Sequence, residues 1–81
     1  MPHVTIKHFA PALPDGRKQE LAAALTALIV GHFGTREGAV SIGLQPVDPA
    51  SWQRDVFGPE IEGLADTLIK TPDYNAVGGS R

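Results

Sequence analysis

Two short runs of alternating apolar and polar residues flank one long amphipathic segment, and this order constrains the fold more than any other feature. The first run covers residues 2–9, and the second begins at Val40 and ends at Pro46. Such alternation predicts strands, with the apolar side chains of each run on one face. These side chains are Pro2, Val4, Ile6 and His8 in the first run, and Val40, Ile42 and Leu44 in the second.

The segment between the two strands, residues 16–33, repeats apolar side chains at helical spacing. They are Leu21, Leu25, Leu28, Ile29 and His32. Asp15 is predicted to be the N-cap of this helix, and Gly34 the left-handed residue that follows its last turn. A strand, a helix and a strand with a crossover of this length predict a parallel, right-handed βαβ unit.

A second helix is predicted in the C-terminal part of the chain. Pro59 suits a first helical turn, and Lys70 and Pro72 mark the end. The apolar face of this helix would consist of Ile61, Leu64, Leu68 and Ile69. The predicted fold class is therefore α/β (α+β), a βαβ unit with parallel strands plus a second C-terminal helix. Residues 1–75 are predicted to form a single domain, and residues 76–81 a flexible tail.

Two parallel strands do not make a stable sheet by themselves, since parallel sheets need cover on both faces and more than two strands. Both strand edges would also stay open to pairing. The sequence therefore predicts a homo-oligomer in which other copies complete the sheet.

Composition limits the classes of partner. The net charge is −2 and the seven basic residues are scattered, which argues against nucleic acid as a partner. No apolar run approaches membrane-spanning length and no signal sequence is recognisable, so a cytoplasmic protein without membrane contact is expected. The chain has no cysteine for a disulfide or a thiol nucleophile. His3 and His8 fall on opposite strand faces, and no metal site is predicted.

The second residue of the chain is a proline at the start of the first predicted strand. If Met1 is removed, the ring nitrogen of Pro2 becomes a free secondary amine, which is a base. The strand would hold that nitrogen on a rigid element. Pro2 is therefore a candidate for general acid/base chemistry that needs no cofactor.

The order of these pieces resembles the 4-oxalocrotonate tautomerase family. The resemblance rests on four segments in their order and spacing, and it extends from Pro2 to about residue 75. The segments are Pro2-His3-Val4-Thr5-Ile6-Lys7, Ser41-Ile42-Gly43-Leu44-Gln45, Pro49-Ala50-Ser51-Trp52 and Leu68-Ile69-Lys70-Thr71-Pro72.

This resemblance implies a tautomerase-like fold and an isomerase whose amino-terminal proline moves a proton. Pro2 would take a proton from the hydroxyl of a 2-hydroxy-dienoate or an aryl enolpyruvate and deliver it to carbon, giving the 2-keto acid. Burial of the amine disfavours its protonated form and therefore lowers its pKa. A pKa lowered by about two units corresponds to roughly 3 kcal/mol. The resemblance implies a small enol or keto acid as substrate, and a dimer in preference to a hexamer.

The chain departs from the family at the substrate carboxylate. Short members carry two arginines that bind it, whereas Pro11 or Ala12 and Ser41 occupy those positions here. Recognition of a dicarboxylate is therefore disfavoured, and an apolar substrate with one carboxylate, such as phenylenolpyruvate, fits better. Five side chains are candidates for the cation that binds this carboxylate: Lys7, Arg17, Arg36, Arg54 and Lys70.

Three further residues are candidate substrate contacts. Ser41 stands where the family places an arginine, and the resemblance implies that Trp52 lines the pocket. A single tryptophan in a small domain is as readily a core residue. Phe9 is the third candidate, although packing is favoured for it over the pocket.

Two alternatives remain open. The first is a small α/β interaction or oligomerisation domain that kept the architecture without the chemistry. The second is a relative that uses the same proline for hydration, dehalogenation or decarboxylation, with Asp48 or Glu37 as the assisting carboxylate. Tautomerisation ranks above both.

Overall fold

A computed structural model describes residues 1–74. The chain divides into two compact units, Met1–Pro46 and Val47–Arg81, and residues 47–74 of the second unit are described. The predicted flexible tail, residues 76–81, lies outside the described residues. The single domain over residues 1–75 stays a prediction.

The first unit contains the predicted βαβ arrangement. Strand β1 spans His3–Phe9, helix α1 spans Asp15–Phe33 and strand β2 spans Ser41–Val47. The two strands are hydrogen-bonded neighbours, and the backbone N–H of Ser41 donates to the carbonyl of Pro2 at 3.2 Å. Because this bond joins the starts of both strands, the pair is parallel, and the predicted fold class is confirmed.

Helix α1 begins one residue earlier than predicted, and Asp15 is its first residue rather than its N-cap. Pro14 takes the cap position because its fixed φ of −61° and extended ψ of 154° lead into the helix. Its carbonyl accepts the N–H of Lys18 at 3.0 Å. No helix within residues 1–74 combines the length and the apolar content needed to cross a membrane.

The predicted end of α1 is confirmed at Gly34. This glycine has a φ of 66°, and its N–H donates to the carbonyl of Val30 at 3.0 Å. A side chain at this φ would bring its Cβ too close to the backbone, so glycine is the residue that ends the helix without strain.

The apolar faces of the first unit are only partly covered. None of its residues is fully buried, and Val4 and Ile6 are half-buried. On α1, Leu28 is 57% exposed and Phe33 is 66% exposed. The described residues of a single copy therefore leave the core incomplete and form a sheet of only two strands, which implies an oligomer.

The second unit contains the second helix, but at a different position from the predicted one. It spans Gln53–Glu62, with Pro59 inside it instead of in its first turn. Its wider turns have i→i+5 hydrogen bonds, as from the N–H of Gly63 to the carbonyl of Gly58 at 2.9 Å. Val56 and Phe57 of this helix are buried, and so is Val47.

The end of the second helix explains why the predicted apolar stripe failed. A Cβ at Gly63 would lie 2.5 Å from the carbonyl oxygen of Pro59, so this close approach requires glycine. The helix stops there, and helical periodicity does not apply to the residues after it. Leu64 is 48% exposed and Ile69 fully exposed, and both lie beyond the helix, so the prediction that they belong to its apolar face was wrong.

Two glycines of α1 provide a matched test of the helix end. We expect Gly34→Ala to lower the free energy of unfolding by about 1 kcal/mol, because alanine is strained at a positive φ. We expect Gly31→Ala, inside the helix with open space around its Cβ position, to raise it by about 0.5–1 kcal/mol. Urea unfolding at one fixed chain concentration measures both changes. A shift of both variants in the same direction would contradict the assigned helix end.

Candidate active site

Pro2 lies directly before β1, and its backbone pairs with the first residue of β2. It is half-buried, whereas Met1 before it is 98% exposed. The hydrogen bond from Ser41 N–H to the Pro2 carbonyl fixes the peptide plane that follows the ring. The ring is therefore attached to paired backbone and not to a fraying end.

Ser41 also organises the exposed face of the sheet at this end. Its Oγ lies 2.6 Å from Nδ1 of His3, and Nε2 of the same ring lies 3.2 Å from Oγ1 of Thr5. Both ring nitrogens of His3 thus have hydroxyl partners. Period-two geometry already places His3 and Thr5 on one face, but only the strand register shows that Ser41 joins them.

Of the predicted substrate contacts, the structure brings Ser41 to the Pro2 end of the sheet. Phe9 lies at the other end of β1, seven residues or about 23 Å away along the strand, and is 54% exposed. Within one copy, Phe9 and Pro2 are therefore not neighbours.

Trp52, in the second unit, belongs to an aromatic cluster of Trp52, Phe57 and Tyr74. The indole Nε1–H donates to the hydroxyl of Tyr74 at 3.1 Å. The rings of Phe57 and Tyr74 lie 5.6 Å apart at a tilt of 45°, a favourable aromatic contact. Sequence patterns do not predict Tyr74 here, because no helical or strand periodicity connects it to Trp52.

Several candidate cations have acidic partners. Arg54 Nε donates to Asp55 at 2.8 Å, and this hydrogen bond together with the negative charge of Asp55 raises the pKa of the guanidinium. Arg17 Nε lies 3.8 Å from the carboxylate of Glu20 one turn later on α1. Residues 1–74 hold no group of three or more His, Cys, Asp or Glu side chains arranged to bind a metal ion.

Comparison with known proteins identifies the family of this chain. A family model described as "Tautomerase enzyme" matches residues 2–59, which include Pro2, Ser41, Trp52 and the whole βαβ unit. The chain belongs to the tautomerase family. Its activity is therefore that of a tautomerase, which is an isomerase.

Three curated tautomerases illustrate how far the similarity extends, and each is named Tautomerase PptA. The protein from Cronobacter sakazakii is 40% identical over 74 residues, which is 91% of this chain and 97% of the relative. The Escherichia coli protein is 40% identical over 75 residues, or 93% of this chain and 99% of the relative. The protein from Pectobacterium carotovorum is 35% identical over the same shares. The resemblance seen in the sequence is confirmed.

The contact between Trp52 and Tyr74 is testable by a double-mutant cycle. We expect Tyr74→Phe to lower the free energy of unfolding by about 0.5–1.5 kcal/mol, because it removes one hydrogen bond and keeps the ring. In a Trp52→Phe background the same change should cost nearly nothing, which gives a coupling energy of similar size. Urea unfolding followed by circular dichroism measures all four proteins. Equal effects of Tyr74→Phe in both backgrounds would show that the two side chains do not interact.

Proposed function

We propose that this tautomerase interconverts the enol and keto forms of a 2-hydroxy-2-enoic acid, with Pro2 as the general acid/base. The observation that carries the proposal is the position of Pro2. The ring is half-buried at the head of β1, and Ser41 holds its carbonyl. A reactive group on a paired strand keeps one orientation toward a bound substrate, which favours proton transfer.

The reaction is an isomerisation in which one proton changes place. With Met1 removed, the neutral nitrogen of Pro2 takes the proton from the 2-hydroxyl group. The C2–O bond becomes a carbonyl, and the electron pair of the C2=C3 double bond forms the new C3–H bond with the proton that the same nitrogen returns. In a dienoate the second double bond can shift and take the proton at C5. Atoms and electrons balance without an oxidant, a metal ion or a cofactor.

The neutral amine is the form that accepts the proton, and burial supports it. Water stabilises a charged ammonium, so removing water from the nitrogen lowers its affinity for a proton. Pro2 is already half-buried in one copy. A neighbouring copy or a bound apolar substrate would exclude more water.

The proposed substrate is an aryl enolpyruvate such as phenylenolpyruvate, ahead of a 2-hydroxy-dienoate with two carboxylates. Support comes from the departures at Pro11 or Ala12 and at Ser41, which remove both arginines that bind substrate carboxylates in short members of the family. Ser41 offers only a hydroxyl there, and its Oγ is already bonded to His3.

The proposed assembly is a homodimer in preference to a hexamer. The partly covered faces of the first unit and its two open strand edges support assembly with further copies. The number of copies comes from the resemblance alone. A cytoplasmic location stays a prediction from the sequence.

Replacement of the proline tests the mechanism. We expect Pro2→Ala to lower kcat/KM for ketonisation of phenylenolpyruvate by about 10²- to 10⁴-fold, the usual contribution of a positioned acid/base group. Pro14→Ala, which changes an exposed proline at the start of α1, is the matched control and should leave kcat/KM unchanged. Steady-state ultraviolet assays measure all three proteins.

The same samples give the state of the N-terminus by intact mass. The proposal predicts that active protein lacks Met1, because an acylated ring nitrogen has no basicity. Pro2→Ala with wild-type activity, or full activity in protein that retains Met1, would refute the proline mechanism. An inactive wild type with an intact fold would favour the interaction domain instead.

A further inference from the structure

Arg36 lies in the connection between α1 and β2. The turn Glu37–Ala39 follows it, and the N–H of Ala39 donates to the carbonyl of Arg36 at 3.0 Å. Val40 closes the turn by donating to the carbonyl of Glu37 at 3.1 Å. The backbone at Arg36 is therefore fixed, and the side chain starts from a defined point.

The side chain of Arg36 folds back over this turn. A Cβ placed on Gly38 would overlap Nη1 of the guanidinium and lie 3.6 Å from its Cζ. The φ of Gly38 is not in the left-handed region, so its backbone would accept alanine. The guanidinium of Arg36, which is an exposed residue, thus lies against the face of Gly38 that carries no side chain.

Arg36 also differs from the other cations of its unit. Arg17 lies 3.8 Å from Glu20, Lys18 lies 3.9 Å from Asp15, and Lys7 has an interaction partner as well. Arg36 is the one lysine or arginine among residues 1–46 whose side chain has no hydrogen bond or ion pair with another residue of the described part, 1–74.

The adjacent carboxylate points elsewhere. The side chain of Glu37 borders a groove of about 310 Å³ against α1, together with Ala22, Ala23, Thr26 and Ala27. Arg36 and Glu37 do not form an ion pair with each other, and the guanidinium has no carboxylate partner within residues 1–74.

The turn places this charge at the Pro2 end of the sheet. The guanidinium lies against Gly38, and Ser41 follows Gly38 by three residues, so the two backbone positions are at most about 11 Å apart. Ser41 in turn pairs with Pro2 at 3.2 Å. An acid bound at Pro2 therefore has the guanidinium within the length of a small molecule.

We propose that Arg36 binds the carboxylate of the substrate, and this inference rests on the proposed function. The planar guanidinium would donate two parallel N–H bonds to one carboxylate, so that the enol carbons lie toward the Pro2 nitrogen. Because one arginine serves one carboxylate, the site selects monocarboxylic enols with an apolar remainder. Arg36 is a binding residue, and Gly38 positions it.

Three variants distinguish the effect of the position of the Arg36 guanidinium from the effect of its charge. Arg36→Gln removes the cation. Gly38→Ala keeps the cation but displaces it, because the new methyl group occupies the place of the guanidinium. Lys18→Gln removes a surface cation from the first turns of α1, at the far end of the sheet, and is the matched control. The substrates are phenylenolpyruvate and its methyl ester, which lacks the carboxylate charge.

We expect Arg36→Gln to raise KM for the acid about 10- to 100-fold with a smaller change in kcat, since a charge-assisted bidentate bond is lost. KM for the ester should stay within twofold. Gly38→Ala should raise KM for the acid by at least threefold and again spare the ester. Lys18→Gln should match wild type on both substrates.

An unchanged KM for the acid in Arg36→Gln, with activity retained, would overturn the role of Arg36 and leave the proposed function standing. Equal increases for acid and ester would also overturn it, because the carboxylate would not be the group recognised. If wild type shows no tautomerisation, NMR titration with 3-phenylpropanoate decides. Binding that weakens in Arg36→Gln supports the anion site without the reaction, and absence of binding to wild type refutes it.

Discussion

The hydrogen bond between Ser41 N–H and the Pro2 carbonyl is the constraint on which the site depends. It sets the register of the parallel pair, and register decides which side chains meet on each face. It holds Pro2 at the head of β1, and on the exposed face it brings the Ser41 hydroxyl to His3. A slip by one residue would exchange the two faces of β2 and separate these groups. The chemistry proposed for the proline follows from backbone pairing more than from any single side chain.

The second constraint on the structure is that one copy of the chain leaves its core incompletely covered. The first unit has half-buried apolar faces and no fully buried residue, so one copy does not complete its own core. Under the proposed mechanism, assembly would exclude more water from the half-buried ring of Pro2. The same low-water environment would strengthen the interaction between a guanidinium and a carboxylate. The proposed mechanism thus links assembly to catalysis through the exclusion of water.

The sequence predicted the βαβ unit well because period-two and helical patterns report burial directly. The end of α1 at Gly34 was predictable from the position of this glycine after the last turn. The N-cap was wrongly assigned to Asp15, because Pro14 occupies that position. The second helix was misplaced because a proline inside i→i+5 turns violates the rule that prolines start helices. At the site, Pro2 and Ser41 were recognised from the resemblance. Two contacts depend on side-chain conformations that no local sequence pattern encodes. They are the contact of the Arg36 guanidinium with Gly38 and the hydrogen bond from Trp52 to Tyr74.

The most direct measurement is an NMR titration of the Pro2 ring nitrogen in the assembled protein, compared with the pH dependence of kcat/KM. If Pro2 is the base, its nitrogen resonance moves with pH as an amine, and its midpoint coincides with the acidic limb of the free-enzyme profile. A nitrogen with the pH-independent shift of an amide in an active enzyme would contradict the account. A midpoint separated from the kinetic one by more than about one pH unit would do the same.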